Sequence, residues 1–435
     1  MSFRWYEVDN LKKIVVGFSG GPDSTCILHR LNSDGHELVA AHLDHCLLSH
    51  SAEVSEHCKR FCNELKIPIY IKKVDVKKLA RQEGWSIEEA GRSARYSFFN
   101  ELINQLGYDM IATGHTLDDH IETVLLNLTR GTGLKGICGI PQKRGNIIRP
   151  LLSWSREDVL SYCAENKLRT VKDPSNESLD FSRCRIRHHV IPELKKINPS
   201  LLKTAERFTK IVAEEDGFLA RISHQNFEDC RERLEKGFED LIDPFQKSYS
   251  AHKLLNLDDV LFKRGLRQVA SDFGAKLSYD QVHSIFDGLQ KNSSGSITAE
   301  ENRIVVEWNT QKLIVRKLDV FSDLEWTLHQ SRAQIEDYKN NSDRFQAFLD
   351  AKKIVGSLKI EFGHYSDKID PVGLDGSKKI GKILNELGFK NDLRELVPVV
   401  YDSQGPLWVY GGPLSDRVCI DANTESVIQL YLEAH

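Results

Sequence analysis

The amino-terminal part of the chain alternates short apolar runs with stretches whose apolar positions recur at helical spacing. Lys13-Ile14-Val15-Val16-Gly17-Phe18 has no polar side chain after Lys13 and is too short for a helix, the pattern of a strand buried on both faces. Thr25 to Leu31 then has the spacing of a helix with one apolar side. The same reading predicts strands at Leu38 to Leu43, Ile67 to Val74 and Met110 to Thr113, and helices at Ala52 to Leu65, Ile87 to Leu106 and Asp118 to Leu128. Strands and helices in alternation predict a doubly wound parallel sheet of the Rossmann-like α/β class, covered on both faces. Ligands should bind beyond the carboxyl ends of its strands.

Near Pro192 the pattern changes to helices joined by polar loops, at Pro199 to Phe218, Leu257 to Phe273 and Ser278 to Leu289. Arg303 to Trp308 and Lys312 to Arg316 can pair as a hairpin across Asn309-Thr310-Gln311. From about Val320 come short strand-like runs, a basic helix over Lys378 to Leu387 and an apolar run at Leu407 to Tyr410. The expected division is a catalytic α/β domain at 1–195, a mainly helical domain at 196–319 and a small α+β domain at 320–435.

Composition narrows the classes. With 435 residues, 40% of them hydrophobic, the chain can bury several cores. No run approaches the ~20 apolar residues of a membrane span, and Met1 to Asn10 lacks the apolar centre of a secretory signal, so a cytoplasmic protein is expected. The nine cysteines include no C-x-x-C pair, which disfavours a structural zinc, an iron–sulfur cluster or a redox dithiol. At a formal net charge of −4, nucleic-acid contacts must come from local basic patches.

The first candidate for chemistry is Ser19-Gly20-Gly21-Pro22-Asp23-Ser24, between the first strand and the first helix. Two glycines let a phosphate approach the backbone, Pro22 suits a first helical turn, and the helix amino terminus offers free amides and a positive dipole end. No Lys follows the glycines and no GxGxxG occurs, so this is neither a GxxxxGK[ST] loop nor a dinucleotide fingerprint. A carboxylate beside phosphates calls for a divalent cation, which makes Asp23 a candidate Mg²⁺ ligand. The second candidate is Gly114 to Thr123, where Asp119 and Glu122 are three apart and share a helix face near its start. Either they act on a substrate or they stabilise the helix amino terminus. His115 is open between a nucleotide contact and a core or capping histidine.

These segments carry a resemblance. Ser19 to Ser24 matches the SGGxDS motif of the PP-loop ATP pyrophosphatases at every fixed position. His115, Asp118, Asp119, Glu122 and Thr123, then Arg130, Gly131, Gly133, Leu134 and Gly136, resemble the HxxDDxxET and RGxGLxG runs of the tRNA(Ile)-lysidine synthetases, and Arg92, Arg95 and Tyr96 their ARxxRY segment. Arg149-Pro150-Leu151-Leu152, Asp173-Pro174-Ser175-Asn176 and Arg183 to Arg187 resemble the RPLL, DPSN and RNxxR segments. Departures are Cys184 for the asparagine of RNxxR, Gly91 for the alanine of ARxxRY, Leu48 where a basic residue is frequent, and His120 where glutamine is. The tail around Lys378 to Tyr401 resembles the family's C-terminal tRNA-binding domain loosely.

The resemblance implies ATP-dependent replacement of C2 oxygen in the wobble cytidine (position 34) of tRNA(Ile) with a CAU anticodon by the ε-amine of free L-lysine. ATP and Mg²⁺ are the implied cofactors, and a homodimer is allowed for. It implies nucleotide binding by Ser19, Gly20, Gly21, Pro22, Asp23, Ser24 and His115, with Mg²⁺ on Asp23. Asp23, Asp119, Glu122 and Arg95 would carry catalysis, the two later carboxylates orienting the lysine ammonium or taking its proton, and Arg95 neutralising either the activated base or the lysine carboxylate. Arg92, Arg130, Arg183, Arg185, Arg187, Lys378, Lys379 and Arg394 would contact tRNA, with solvated helix faces the alternative for the basic runs. Lys378, Lys379 and Lys382 are expected on one face of a helix. A tRNA thiolase of the same superfamily is disfavoured by the missing cysteine pair.

Overall fold

The computed structural model describes residues 12–46, 51–171, 182–233, 238–239, 242–299, 304–318, 325–362, 364–374, 376–389 and 391–434. The expected DPSN segment at Asp173 to Asn176, Leu48 and the domain start near Val320 lie outside them. The chain divides into two compact units, Met1–Phe218 and Leu219–His435.

The first unit is built on a six-stranded sheet. Its elements are β1 (Lys13–Gly17), α1 (Pro22–Ser33), β2 (Glu37–Asp44), α2 (Ser51–Glu64), β3 (Ile69–Lys73), α3 (Val76–Glu83), α4 (Ile87–Leu106), β4 (Met110–Ala112), α5 (Leu117–Thr129), α6 (Leu134–Ile137), β5 (Lys143–Arg144), β6 (Ile147–Ile148) and α7 (Arg156–Glu165). The strand order is β3-β2-β1-β4-β6-β5, parallel except for the edge strand β5. Ile14, Val15 and Val16 are fully buried because β1 is central and covered on both faces, as its continuous apolar run predicts. Ile14 and Val16 pack towards α1, α2 and α7, and Val15 towards α4.

Local chemistry fixes the helix starts. Ser86 and Glu89 close a reciprocal capping box on α4, and Asp75 caps α3. Gly84 and Gly107 end these two helices in the left-handed conformation, with φ of 68° and 66°. The short α3, α7 and β6 carry too few periodic positions to be read from sequence and exist through packing on the sheet.

Within the second unit, helices Asp259–Asp272 and Tyr279–Gln290 pack with a four-stranded antiparallel sheet that includes the expected hairpin, Ile304–Trp308 against Lys312–Lys317. The remainder is a small α+β arrangement of two three-stranded sheets, one strand pair and helix Ile380–Glu386. Among the described residues no helix is long and apolar enough to cross a membrane.

Candidate active site

The loop between β1 and α1 is held open by its own hydroxyls. Ser24 Oγ accepts the Ser19 amide at 3.2 Å and donates to the Gly21 carbonyl at 3.1 Å. Gly21 is the cap of α1 with no side-chain partner on the helix amino terminus, and Pro22 opens the first turn. Gly20 has φ +79°, and a Cβ there would stand 3.1 Å from Cys58 Sγ of α2, so the turn needs glycine on both counts. The uncapped amides of the first turn of α1, at the positive end of its dipole, suit an anion.

A second loop, after β4, lies against the first. A Cβ on Gly114 would fall 3.1 Å from Asp23 Cβ and 3.3 Å from the Ser24 amide nitrogen. Thr116 caps α5 and forms a capping box with Asp119, whose Oδ2 accepts the Thr116 amide at 2.9 Å and hydroxyl at 3.0 Å. Burial raises the pKa of Asp23 from 3.8 to about 6, and the charges of Asp119 and Asp118 push in the same direction. The two sequence motifs therefore form one acidic site.

That site bears on the metal. Asp23 Oδ1 is buried and has no hydrogen-bond partner among the described residues, in a setting that opposes its charge. A divalent cation would supply the missing partner and charge together. Among the described residues no group of three or more His, Cys, Asp or Glu could hold a metal by itself. Mg²⁺ typically takes one or two carboxylates plus substrate phosphates and water, so the residues fit a cation shared with a nucleotide.

Glu122, one turn on in α5, is only 1% exposed, and its oxygens are engaged by guanidinium groups. Arg187 reaches Oε1 at 2.5 Å and Oε2 at 2.9 Å, and Arg183 reaches Oε2 at 3.2 Å. Arg187 also donates to Asp119 Oδ1 at 3.2 Å, and Arg183 to Thr123 Oγ1 at 3.0 Å. Arg183 and Arg187 sit four apart on a helical stretch that passes through one wide π-type turn at Ile186–Val190. They were expected on tRNA phosphates and instead face carboxylates of their own chain, while Arg185 between them is exposed. Glu122, expected to meet the lysine amine, is buried here with its charge paired to both guanidinium groups.

His115 Nδ1 lies 3.0 Å from Thr113 Oγ1. Burial lowers its pKa to about 4, with Arg149, Arg183 and Arg92 adding to the fall and Asp119 opposing it, so the ring is neutral at pH 7. Arg92 lies over the Tyr96 ring at 5.0 Å, and Arg95 Nη2 is 3.5 Å from His45 Nε2 at the end of β2. Arg130 is exposed at the carboxyl end of α5.

Lys378, Lys379 and Arg394 belong to the other unit. Lys378–Lys379 is a strand paired with Lys368–Ile369, and the helix starts only at Ile380, so Lys378, Lys379 and Lys382 do not share a helix face. Lys378 is ion-paired with Glu386, and Arg394 bonds Asn385 and lies 5.8 Å over Tyr365. Sequence reasoning gave no role to Gly114 or Arg149. The signal for Arg149 was available: a single cation inside the apolar run Ile147-Ile148-Arg149-Pro150-Leu151-Leu152.

The family model of the PP-loop domain matches residues 3–194, and that of the TilS substrate C-terminal domain matches residues 358–430. The chain is 31% identical over 429 residues to the tRNA(Ile)-lysidine synthase of Geobacillus kaustophilus (strain HTA426), covering 92% of this chain and 90% of that protein. It is 30% identical over 435 residues to that of Porphyromonas gingivalis (strain ATCC BAA-308 / W83), covering 94% and 91%. With the synthase of Clostridium tetani (strain Massachusetts / E88) the identity is 28% over 453 residues, covering 97% and 94%. A PP-loop domain with this acidic site at its amino end, a matching substrate domain near its carboxyl end and relatives aligned over nearly the whole length place the chain in the tRNA(Ile)-lysidine synthase family, and make it an ATP-dependent ligase of tRNA modification.

Proposed function

We propose that the chain joins free L-lysine to C2 of the wobble cytidine of a CAU-anticodon isoleucine tRNA, through an adenylated base. The observation that carries this reading is the contact of the two loops at Gly114 and Asp23, which brings a phosphate cradle and an acidic cluster within one site. Two displacements fit it. In the first, the C2 oxygen of the base attacks the α-phosphorus of ATP and pyrophosphate leaves with the broken bond's electron pair. In the second, the lysine ε-nitrogen attacks C2, AMP departs with the C2 oxygen, and the nitrogen gives up a proton.

The residues have separate work in this scheme. The uncapped amides at the start of α1 would meet the charge that grows on pyrophosphate. Mg²⁺ on Asp23 would add charge neutralisation there. Asp119, rather than Glu122, is the carboxylate near the reacting groups, and Glu122 positions it through the shared Arg187. Arg95, exposed beside His45, suits the adenylated base, and exposed Arg130 and Arg185 suit the tRNA backbone. Lys379 and Arg394 are the candidates for a further tRNA contact in the second unit, with Lys378 tied to Glu386. The test is incubation with ATP, labelled lysine and the minor isoleucine tRNA. Label should enter the RNA with one AMP and one pyrophosphate released per lysine, and a transcript with uridine at the wobble position should take none. Equal labelling of both transcripts would overturn the reading.

A further inference from the structure

Arg149 is 4% exposed and makes no ion pair with a carboxylate among the described residues. It follows β6; one nitrogen, Nη1, donates to the Pro141 carbonyl at 2.7 Å, and its Nε is buried without a hydrogen-bond partner among the described residues. The groups acting on it are Tyr96, which hydrogen-bonds it, and two further cations, Arg92 and Arg144. A buried guanidinium without a counter-charge is costly, and one surrounded by like charge is more so. The arrangement becomes favourable once an anion arrives.

Strand order says which anion. The phosphate loop ends β1, His115 and the cap of α5 follow β4, and Arg149 follows β6, in adjacent positions along the carboxyl edge of the sheet. Two steps of ~4.8 Å put Arg149 about 10 Å from the strand that carries the phosphate loop. The ATP phosphates therefore have their own cradle elsewhere, and RNA phosphates run along the outside of the molecule rather than into a buried pocket. His115 follows β4, between the strand that leads to Asp23 and the strand that leads to Arg149, and the charges acting on it are of both signs, Asp119 against Arg149, Arg183 and Arg92. A site that is anionic at one end and cationic at the other matches a free amino acid, whose ammonium and carboxylate need opposite partners.

We propose that Arg149, with Arg92 stacked on Tyr96 beside it, is the subsite for the α-carboxylate of the amino-acid substrate. This deepens the ligation proposed above and rests on it. Arg149 sets which amines are accepted: an amine without a carboxylate leaves the guanidinium unpaired, and the site rejects it.

The test crosses the residue with the ligand. Transfer to tRNA is measured for lysine and for cadaverine, which is lysine without its carboxylate, in the wild type, Arg149→Met and Arg149→Lys. In the wild type kcat/KM should be roughly 100-fold lower for cadaverine, the worth of a charged hydrogen-bonded pair. Arg149→Met should lose about as much with lysine, and the two losses should not multiply, because both remove the same contact. Arg149→Lys keeps the charge and should lose less, which separates lost recognition from a misfolded pocket. Calorimetric binding of lysine reads the subsite without turnover and should weaken in the same order. Losses that multiply, or lysine binding unchanged in Arg149→Met, would overturn the subsite. A wild type that binds lysine through Arg149 but transfers none would count against the ligation reading instead.

Discussion

Asp23→Asn should make the nucleotide-free protein more stable while removing its activity. In the folded chain Asp23 is mostly buried, and burial together with Asp119 and Asp118 outweighs the help of Arg156 and Arg187, so its pKa stands at about 6 against 3.8. The folded state thus holds this proton more tightly than the unfolded chain does. The sign follows: the group's contribution to stability is present below about pH 4 and is lost as pH rises through 6. At 1.36 kcal/mol per pH unit the whole loss is about 3 kcal/mol, reached near pH 7. Asparagine keeps the shape and does not titrate. The variant should therefore match the wild type at pH 4 and exceed it by about 2–3 kcal/mol at pH 8. Hydrogen exchange of the α1 amides, across a pH series and corrected for intrinsic rates, measures this within the first unit. Mg²⁺ and ATP together should reverse the ranking, since only the wild type can bind the cation there. A stability gap that is flat with pH, or that favours the wild type without nucleotide, would show that Asp23 is not held against its charge.

Gly20→Ala should weaken ATP binding and cost about 1–2 kcal/mol, because φ +79° is unfavourable for alanine and its Cβ meets Cys58; nucleotide affinity equal to wild type by calorimetry would refute this. Glu122→Gln should destabilise the first unit by about 3 kcal/mol or more, since it leaves Arg183 and Arg187 without their buried counter-charge. Loss of lysine transfer with unchanged thermal stability would instead return Glu122 to direct catalysis. His115→Gln should leave the acid limb of the rate–pH profile where it is, because a ring with a pKa of about 4 does not titrate between pH 5.5 and 8; a limb near pH 6.5 that disappears in the variant would contradict this.

Strands β1 to β4 and the loops after β1 and β4 were legible because their signals are local. An apolar run such as Ile14 to Val16 can only be buried, and glycines directly after it must turn the chain at a helix amino terminus. Charge was read less well. Arg183 and Arg187 look like a basic surface in sequence, and only folding shows that Glu122 lies beneath them, about 60 residues away along the chain. Lys378, Lys379 and Lys382 have helical spacing, but pairing with Lys368–Ile369 draws the first two into a strand. Tertiary pairing overrides a short periodicity of this kind.

The placement of charge in the first unit has a common logic. Asp23 is held against its ionisation, and Arg149 is buried without an acid among the described residues, whereas Glu122, as deep as Arg149, is fully paired. A fold selected only for stability would pair all three, because each unpaired buried charge costs more than a surface ion pair returns. The pairing is instead selective. Glu122, Arg183 and Arg187 satisfy one another and fix the start of α5, while the groups left unsatisfied stand on either side of His115 along the carboxyl edge of the sheet. On the proposed reading, the stability withheld at Asp23 and Arg149 would be recovered when a cation with nucleotide phosphates arrives at one and a carboxylate at the other. Binding at either end should therefore stabilise the first unit, each ligand by its own amount, and the two together by more than either alone.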